Sequence, residues 1–400
     1  MRIWIVHQHA IPPIGMGPTR HFDLAKKLIE QGHEVYIFAG NYCHNSFHYI
    51  GEPYSVTKKI AYYFKVPFIW IDVPAYTKNS IKRLYNMLAF AFRLLTNKDL
   101  KFLPKPDIVL GSSPSPFAAW AAQRLASRYG VPFIYEIRDL WPETLLALGS
   151  FSKHHPLAKI LAGIENFLLS KAVKIISVLP GASDYLLNKK IPKDKIKWLP
   201  NAVDLNHISY SPSTIKNEIT IFYAGAFNVS NDIETLLKAA KIVQEEANHF
   251  QFKLIGEGPQ RALLEKFVAS EKINNVEFFP SVGKDQIYPI LGTADICVGM
   301  VRKTNLYRFG TSLNKITDYL AIARPVVFAL DSPYSPITEA NAGLTVPPEN
   351  PHLLAQAILK IGSLSPQERE QLGRNGRKYA EQYYNLDKIT AEFIDCCKSE

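Results

Sequence analysis

The chain is 400 residues long, 47% hydrophobic and 20% charged, which excludes a disordered chain and favours two domains over a single core. Its 46 Lys and Arg against 36 Asp and Glu leave a net charge of +10, a balance that suits anionic partners such as phosphorylated substrates, nucleic acid or an acidic membrane face. Cys43, Cys297, Cys396 and Cys397 form no CxxC or zinc-ligand spacing, and no uncharged apolar run reaches the roughly 18 residues of a membrane span. A cytoplasmic protein without disulfides or metal is therefore expected, with peripheral contact to the inner face of the cytoplasmic membrane left open.

Apolar runs of strand length alternate with amphipathic stretches of helix length, the pattern of parallel sheets covered by helices. RIWIV at 2–6 reads as a buried strand and leads through a loop holding Gly15 and Gly17 into a helix at 19–31, then strand EVYIFA. Glycine lets backbone approach a ligand, and Arg20 on the first turn could meet a negative charge, although a simple tight turn explains the loop as well. Position 20 is not the third glycine of GxGxxG, so a dinucleotide fingerprint is absent. Residues 77–105 interleave seven Lys and Arg with Leu, Phe, Tyr and Met. This segment suits either an anionic lipid surface or a helix packed on its own sheet with a solvated basic face. Strands DIVLG, FIYEI, VKIISV and KIKWL follow at 107–111, 133–137, 173–178 and 195–199. RDLWPET at 138–144 puts Arg138 and Asp139 at a strand's carboxyl end, as ligand-facing residues or as a buried ion pair.

Residues 200–218, polar and rich in Pro, Ser and Asn, read as a hinge. ITIFYAGAF at 219–227 restarts the pattern, with Gly225 at its bend and Asn228 in the loop GAFNVSND. IGEGP at 255–259 repeats the arrangement with Gly256 and Glu257, and strand VEFF leads to Ser281. RKTNLYR at 302–308 brings Arg302 and Arg308 just ahead of FGTSLNKITDYLAIARPVVFAL, residues 309–330. Here Lys315 and Asp318 fall on the first turns of a helix whose free N–H groups and dipole suit a phosphate or diphosphate. On the plainer reading Asn314 is an N-cap and Asp318 complements the dipole. The fold expected is α/β, two doubly wound Rossmann-like domains at 1–203 and 204–384 facing across a cleft at their strand ends, with a final helix at 385–400 crossing back to the first.

In order, PPxGMGxTRHxxLAxxLxxxGHEV, PDIVLGSSPSP, RDLWPET, LPGASDYL, LPNAVD, YAGAF, LIGEGPQRALLE, ADICVGM and NKITDYLAIARPVV closely resemble the GT-B glycosyltransferases of family 4, over essentially the whole chain. The RDLWPE and NKxxDYLAxxRPVV forms resemble bacterial enzymes that build O-antigen, capsule and other surface polysaccharide. The resemblance implies a retaining, metal-independent transferase with no cofactor. Its donor, expected to be a UDP-sugar, would be held by the second domain, and a glycan or undecaprenyl-diphosphate-linked acceptor by the first.

By position in the resembling motifs, Lys315 would hold the diphosphate and Asp318 the ribose, Gly15 or Gly17 would approach the diphosphate, and the base would lie against 279–282 around Ser281. Arg138 and Asp139 would act at the reacting sugar, while Arg20, Gly225, Asn228, Gly256, Glu257, Arg302, Arg308 and Asn314 complete the expected donor side. Three departures stand out: the first acid of Glu-x7-Glu falls on Gly310, the usual Arg and Lys are missing from GAFNVSND, and Arg138 stands where the family commonly has His. The alternative is a non-catalytic GT-B protein that binds a nucleotide sugar or glycan within an assembly. Nucleic acid is not an expected partner, since no RNP, zinc or helix-turn-helix pattern occurs.

Overall fold

A computed structural model of the chain describes residues 1–14, 17, 19–44, 47–55, 60–77, 81–144, 152, 154–208 and 218–398, the side chains of 284 and 285 excepted. Gly15 lies outside the described residues. The chain divides into two compact units, Met1–Pro200 with Leu386–Glu400, and Asn201–Asn385.

Unit 1 is built on an eight-stranded sheet of order β3-β4-β2-β1-β5-β6-β7-β8. Its strands are β1 Arg2–Val6, β2 Glu34–Gly40, β3 Ala61–Tyr63, β4 Val66–Ile71, β5 Ile108–Ser112, β6 Phe133–Ile137, β7 Lys174–Ser177 and β8 Ile196–Trp198. All neighbours are parallel except the edge pair β3 and β4, which the periodicity did not single out. Trp4 pairs in register with Tyr36 and Val109, and Trp4, Phe38 and Trp70 are wholly buried, each contributing about 1.5–3 kcal/mol or more of apolar burial. Helices α1 Arg20–Glu30, α2 Ile81–Thr96, α3 Pro116–Tyr129, α4 Pro156–Lys171 and α5 Ala182–Asn188 cover the sheet. Local chemistry sets their ends: α3 starts at Ser115, whose hydroxyl accepts from Ala118 N ahead of Pro116, and stops at Gly130 in the left-handed region at φ 64°. The last helix, Leu386–Lys398, contacts α1, with Lys27 2.9 Å from Asp387.

Unit 2 carries a six-stranded parallel sheet of order β11-β10-β9-β12-β13-β14. Its strands are β9 Ile219–Ala224, β10 Phe250–Ile255, β11 Val276–Phe279, β12 Ile296–Met300, β13 Val326–Ala329 and β14 Gly343–Val346. Helices α6 Ile233–Glu246, α7 Arg261–Ser270, α8 Lys284–Leu291, α9 Asn314–Ala321, α10 Pro336–Glu339, α11 Pro351–Gly362 and α12 Pro366–Tyr383 complete it. Helices α6 and α11 bury Leu236, Ala240, Val243, Leu354 and Ile358 against Ile221, Phe252 and Val298 of the sheet. A capping box of Ser365 and Glu368 opens α12.

Both sheets are therefore doubly wound, as the alternation of runs predicts. In each, the strand order reverses beside the first strand: between β1 and β5 in unit 1, and between β9 and β12 in unit 2. Open α/β sheets hold ligands at the carboxyl ends of strands at that reversal, because neighbouring loops diverge there and leave room.

Candidate functional site

In unit 2 the reversal point is organised by Lys315. It is the second residue of α9, and its ammonium donates to the Tyr223 hydroxyl at 3.1 Å and to the Asn231 side-chain oxygen at 3.0 Å. It also lies 4.5 Å from the centroid of the Tyr223 ring. None of these partners is a carboxylate, and burial brings the ammonium down from its ordinary range to about 7. The cap position of α9 is Leu313, which has no side-chain acceptor, so the positive end of the helix dipole adds to the same electropositive spot.

Several long-range contacts hold Lys315 in place. Tyr319, one turn further along α9 and fully buried, accepts at its hydroxyl from Ala224 N at 2.8 Å and so pins the helix to the end of β9. Asn231 donates to Ala226 O at 2.8 Å, and Asn228 caps the short 3-10 turn Val229–Asn231 by accepting from Asn231 N. The loop before α9 is held by Asn201, which donates from its backbone to Ser312 Oγ at 3.1 Å and from its side chain to Ser312 O at 2.7 Å and Asn314 Oδ1 at 2.9 Å. Asn314 is thus the first helical residue, tied to Asn201, rather than the cap. Asp318 accepts from the Tyr288 hydroxyl at 3.0 Å.

The ends of β9, β10 and β11 are fastened together around Gly256. Its φ is 157°, and a Cβ there would come within 1.9 Å of Gly225 O, so two loops meet backbone to backbone and only glycine fits. Arg261 ties the same ends, donating to Gly256 O at 3.0 Å and Phe279 O at 3.1 Å while pairing with Glu257 at 2.7 Å. Ser281 follows on an exposed stretch. Arg302 lies 3.9 Å from Asp232 and lines a cavity of about 350 Å³ beside α6 and α7 with Asp232, Leu263 and Phe267. Arg308 stands over the Phe309 ring at 4.7 Å. Gly310, at φ 86°, is buried at the place of the absent first acid.

In unit 1 the corresponding region is dominated by Glu136, 1% exposed near the end of β6. It accepts from Arg20 Nε at 2.9 Å, from Ser112 Oγ at 2.5 Å, and meets His21 Nε2 at 2.6 Å. Burial pushes its carboxyl up, but Arg20, His21 and Arg138 outweigh that and hold it well below the usual carboxylate range. Arg20 also donates to Leu199 O at 2.8 Å and to Pro200 O, so each nitrogen of its guanidinium has a partner inside unit 1. That engagement, invisible in the spacing, argues against Arg20 as a ligand of the donor.

Arg138 is less completely answered. Its Nη1 lies 3.1 Å from His7 Nε2, while His7 Nδ1 accepts from His9 N at 3.1 Å. Neutral imidazole has one acceptor nitrogen, so His7 cannot accept from both. Burial, then neighbouring cations, lower His7 well below its ordinary range, and burial with Arg83 takes His9 to about 3. Next to Arg138, Asp139 keeps an open surface with its backbone N bonded to Ser113 Oγ at 3.2 Å. Partial enclosure raises its carboxyl against the pull of Arg138 and Arg83. Gly17 is exposed in the preceding loop.

The structure thus brings Lys315, Asp318, Asn314 and Gly225 into one neighbourhood, with Gly225 adjoining the Lys315 ammonium. The residues around them, Tyr223, Asn231, Tyr319, Arg261 and Asn201, were not identified from sequence, nor, within unit 1, were His7, His21 and Glu136 around Arg20 and Arg138. Asn201 was within reach of sequence reasoning, since LPNAVD is one of the ordered motifs, yet its polar surroundings read as hinge. Among the described residues no group of three or more His, Cys, Asp or Glu side chains is arranged to hold a metal ion.

Residues 18–207 match the family model described as Glycosyltransferase Family 4, and residues 218–363 match that described as Glycosyl transferases group 1. A protein of Escherichia coli strain K12 named as the colanic acid biosynthesis glycosyl transferase WcaI is 22% identical over 402 residues, covering 93% of this chain and 94% of that one. Among solved structures, sucrose-phosphate synthase of Thermosynechococcus elongatus superposes with a TM-score of 0.74 at 18% identity, covering 98% and 97% of the two chains. HepE of Anabaena, solved with UDP and glucose, gives 0.70 at 14% identity over the full length of both chains. WaaG, a glycosyltransferase involved in lipopolysaccharide biosynthesis, gives 0.68 at 14% identity, also over both full lengths. These likenesses establish the GT-B fold.

Proposed function

This chain belongs to the family 4 glycosyltransferases, and from that premise we propose that it transfers a sugar with retention from a nucleotide-diphosphate sugar to a glycan or lipid-linked acceptor in bacterial surface-polysaccharide synthesis. The observation that carries the reading is the Lys315 ammonium: enclosed, without a carboxylate partner, and beside a helix start that no side chain caps. A half-buried cation lacking a counter-ion is costly, and a bound diphosphate would supply the missing charge.

In the proposed reaction the anomeric C–O bond to the diphosphate breaks, leaving an oxocarbenium-like sugar and growing negative charge on the leaving oxygen. Lys315 and the N–H groups at the start of α9 face that charge and stabilise it more in the transition state than in the ground state. The departing phosphate oxygen takes the acceptor's proton as the acceptor oxygen bonds the same face of the sugar, which retains the anomer. No metal enters this scheme, because side chains and backbone supply the positive charge.

Asp318 is assigned to the ribose hydroxyls, residues 279–282 to the base, and Arg138 with Asp139 to the acceptor or the reacting sugar. A UDP-sugar is the proposed donor, in keeping with the HepE complex. The names of WcaI and WaaG favour surface polysaccharide as the destination, with an undecaprenyl-diphosphate-type acceptor at the inner face of the cytoplasmic membrane.

Thermal-shift screening of the full chain against UDP-, GDP- and TDP-sugars is expected to show stabilisation by one nucleotide class. No shift with any of them would overturn the proposal. One observation favours a non-catalytic binding protein instead, namely Gly310 at the place of the first acid. Transfer or donor hydrolysis with the stabilising nucleotide sugar excludes that second reading, and NMR of the product's anomeric proton tests retention.

A further inference from the structure

Helix α2, Ile81–Thr96, is apolar on two opposite faces. Met87, Phe90, Ala91 and Leu94 are buried, and the helix packs on α3 and β4. Yet Ile81 is 81% exposed, Tyr85 62%, Leu88 44% and Phe92 69%. Their spacing of i, i+4, i+7 and i+11 places all four on one outward stripe. A helix with a solvated basic face, one of the two readings of this segment, would put cations there instead. Single exposed apolar side chains are ordinary on soluble proteins, but a line of four large ones marks a surface that something covers.

Charge identifies the cover. The helix contains Lys82, Arg83 and Arg93 and no acidic residue, and Lys98, Lys101 and Lys105 follow with Asp99 as the one acid between. Arg93 pairs with Asp72, whereas Lys82, Lys98 and Lys101 stand exposed, Lys101 5.0 Å from the ring centroid of exposed Phe102. A second copy of the chain docked symmetrically through this face would bring like charges together. Anionic headgroups over hydrocarbon match both features at once, exposed cations beside an apolar line. At roughly 1.5 Å per residue the helix is about 24 Å long, suited to lying in the plane of a bilayer. Among the described residues no helix is long and apolar enough to cross one.

We propose that α2 seats the protein on an anionic bilayer, with Ile81, Tyr85, Leu88 and Phe92 entering the boundary between headgroups and acyl chains and Lys82, Lys98 and Lys101 meeting lipid phosphates. The seat deepens the lipid-linked-acceptor reading and rests on it for its use, since it would bring unit 1 to where such an acceptor lies. Co-sedimentation of the full chain with phosphatidylcholine vesicles, with and without phosphatidylglycerol, tests it. Binding is expected to be at least about tenfold stronger with phosphatidylglycerol and to fall with added salt. The double variant Ile81→Ser, Phe92→Ser is expected to lose at least about tenfold with its melting temperature unchanged. In a separate variant, Phe92→Trp, the added fluorescence should shift blue only on phosphatidylglycerol vesicles. Undiminished binding by the double variant, no preference for anionic vesicles, or a dimer that dissolves in the double variant while vesicles are ignored would each overturn the seat. Vesicle binding is measured without donor, so a protein that binds vesicles but is stabilised by no nucleotide sugar overturns the transferase reading alone.

Discussion

Glu136 in unit 1 and Lys315 in unit 2 are both enclosed charges near the carboxyl ends of doubly wound sheets, and their surroundings differ in kind. Glu136 is met by Arg20, His21 and Ser112, so its charge is neutralised within its own unit. Lys315 is held by a tyrosine hydroxyl and an amide oxygen, which orient the ammonium without neutralising it. A fully answered buried charge serves the fold, because removing it strands its partners. One that is oriented but not neutralised serves a ligand, because the folded chain alone bears the cost of burying it.

The largest effect that would break this contrast is on stability. Glu136→Gln leaves Arg20 without its counter-charge and His21 without its carboxylate partner, and is expected to cost about 3–5 kcal/mol, read as the shift of the first urea transition of the full chain. A loss below about 1 kcal/mol would show that the cluster is not structural. Lys315→Ala should do the opposite: reduce transfer by about two orders of magnitude, read from initial rates, while leaving the melting temperature of the ligand-free protein equal or higher. Near-normal turnover would remove Lys315 from the chemistry.

pH sharpens the contrast next. With the Lys315 ammonium brought to about 7 by burial, the ligand-free site is mostly cationic below that value and mostly neutral above it. Affinity for a nucleotide sugar, whose diphosphate does not itself titrate there, is expected to weaken about tenfold between roughly pH 6 and 8 by calorimetry. Unit 1 responds to acid. The folded pKa values of His7, His9 and His21 are lowered from 6.5, so below that pH the unfolded chain binds protons that the folded chain refuses, and stability falls. Glu136, also lowered, contributes stability above the usual carboxylate range that is lost on further acidification, in the same direction. Acid should therefore unfold unit 1 while improving the grip of the proposed donor site as long as unit 2 stays folded, and hydrogen exchange resolved by unit checks it. The smallest effect is expected for Asn201→Ala, about 1 kcal/mol in unit 2 and a severalfold rise in donor KM, from loosening the loop before α9.

How much of this was legible in sequence varied by feature. The long parallel strands were, because buried runs such as FIYEI and ITIFYA stand out against amphipathic helices. The short edge strand β3 was not, since three residues, two half-buried and one exposed, are too few to show a period. Lys315 and Asp318 were singled out because a helix start advertises itself locally through Gly, Thr, Ser and Asn. Arg20 looked like an equally good ligand by that local logic, and contact with Glu136 gave it another task. Arg302 similarly faces Asp232 and the cavity beside α6 and α7.

The sequence by itself determined the doubly wound halves, the family, and where along the chain a cationic helix start would stand, because periodicity and turn chemistry act over a few residues. Tertiary structure alone decided which charges are spent and which remain available. Arg20 meets Glu136 across 116 positions, Asn201 meets Ser312 across 111, and Lys315 meets Tyr223 across 92. It also decided that the outward face of α2 is apolar, since which side of a doubly apolar helix is buried depends on what packs against it. Contacts at such separations exist only once the sheets have brought distant loops together, and no local pattern records them.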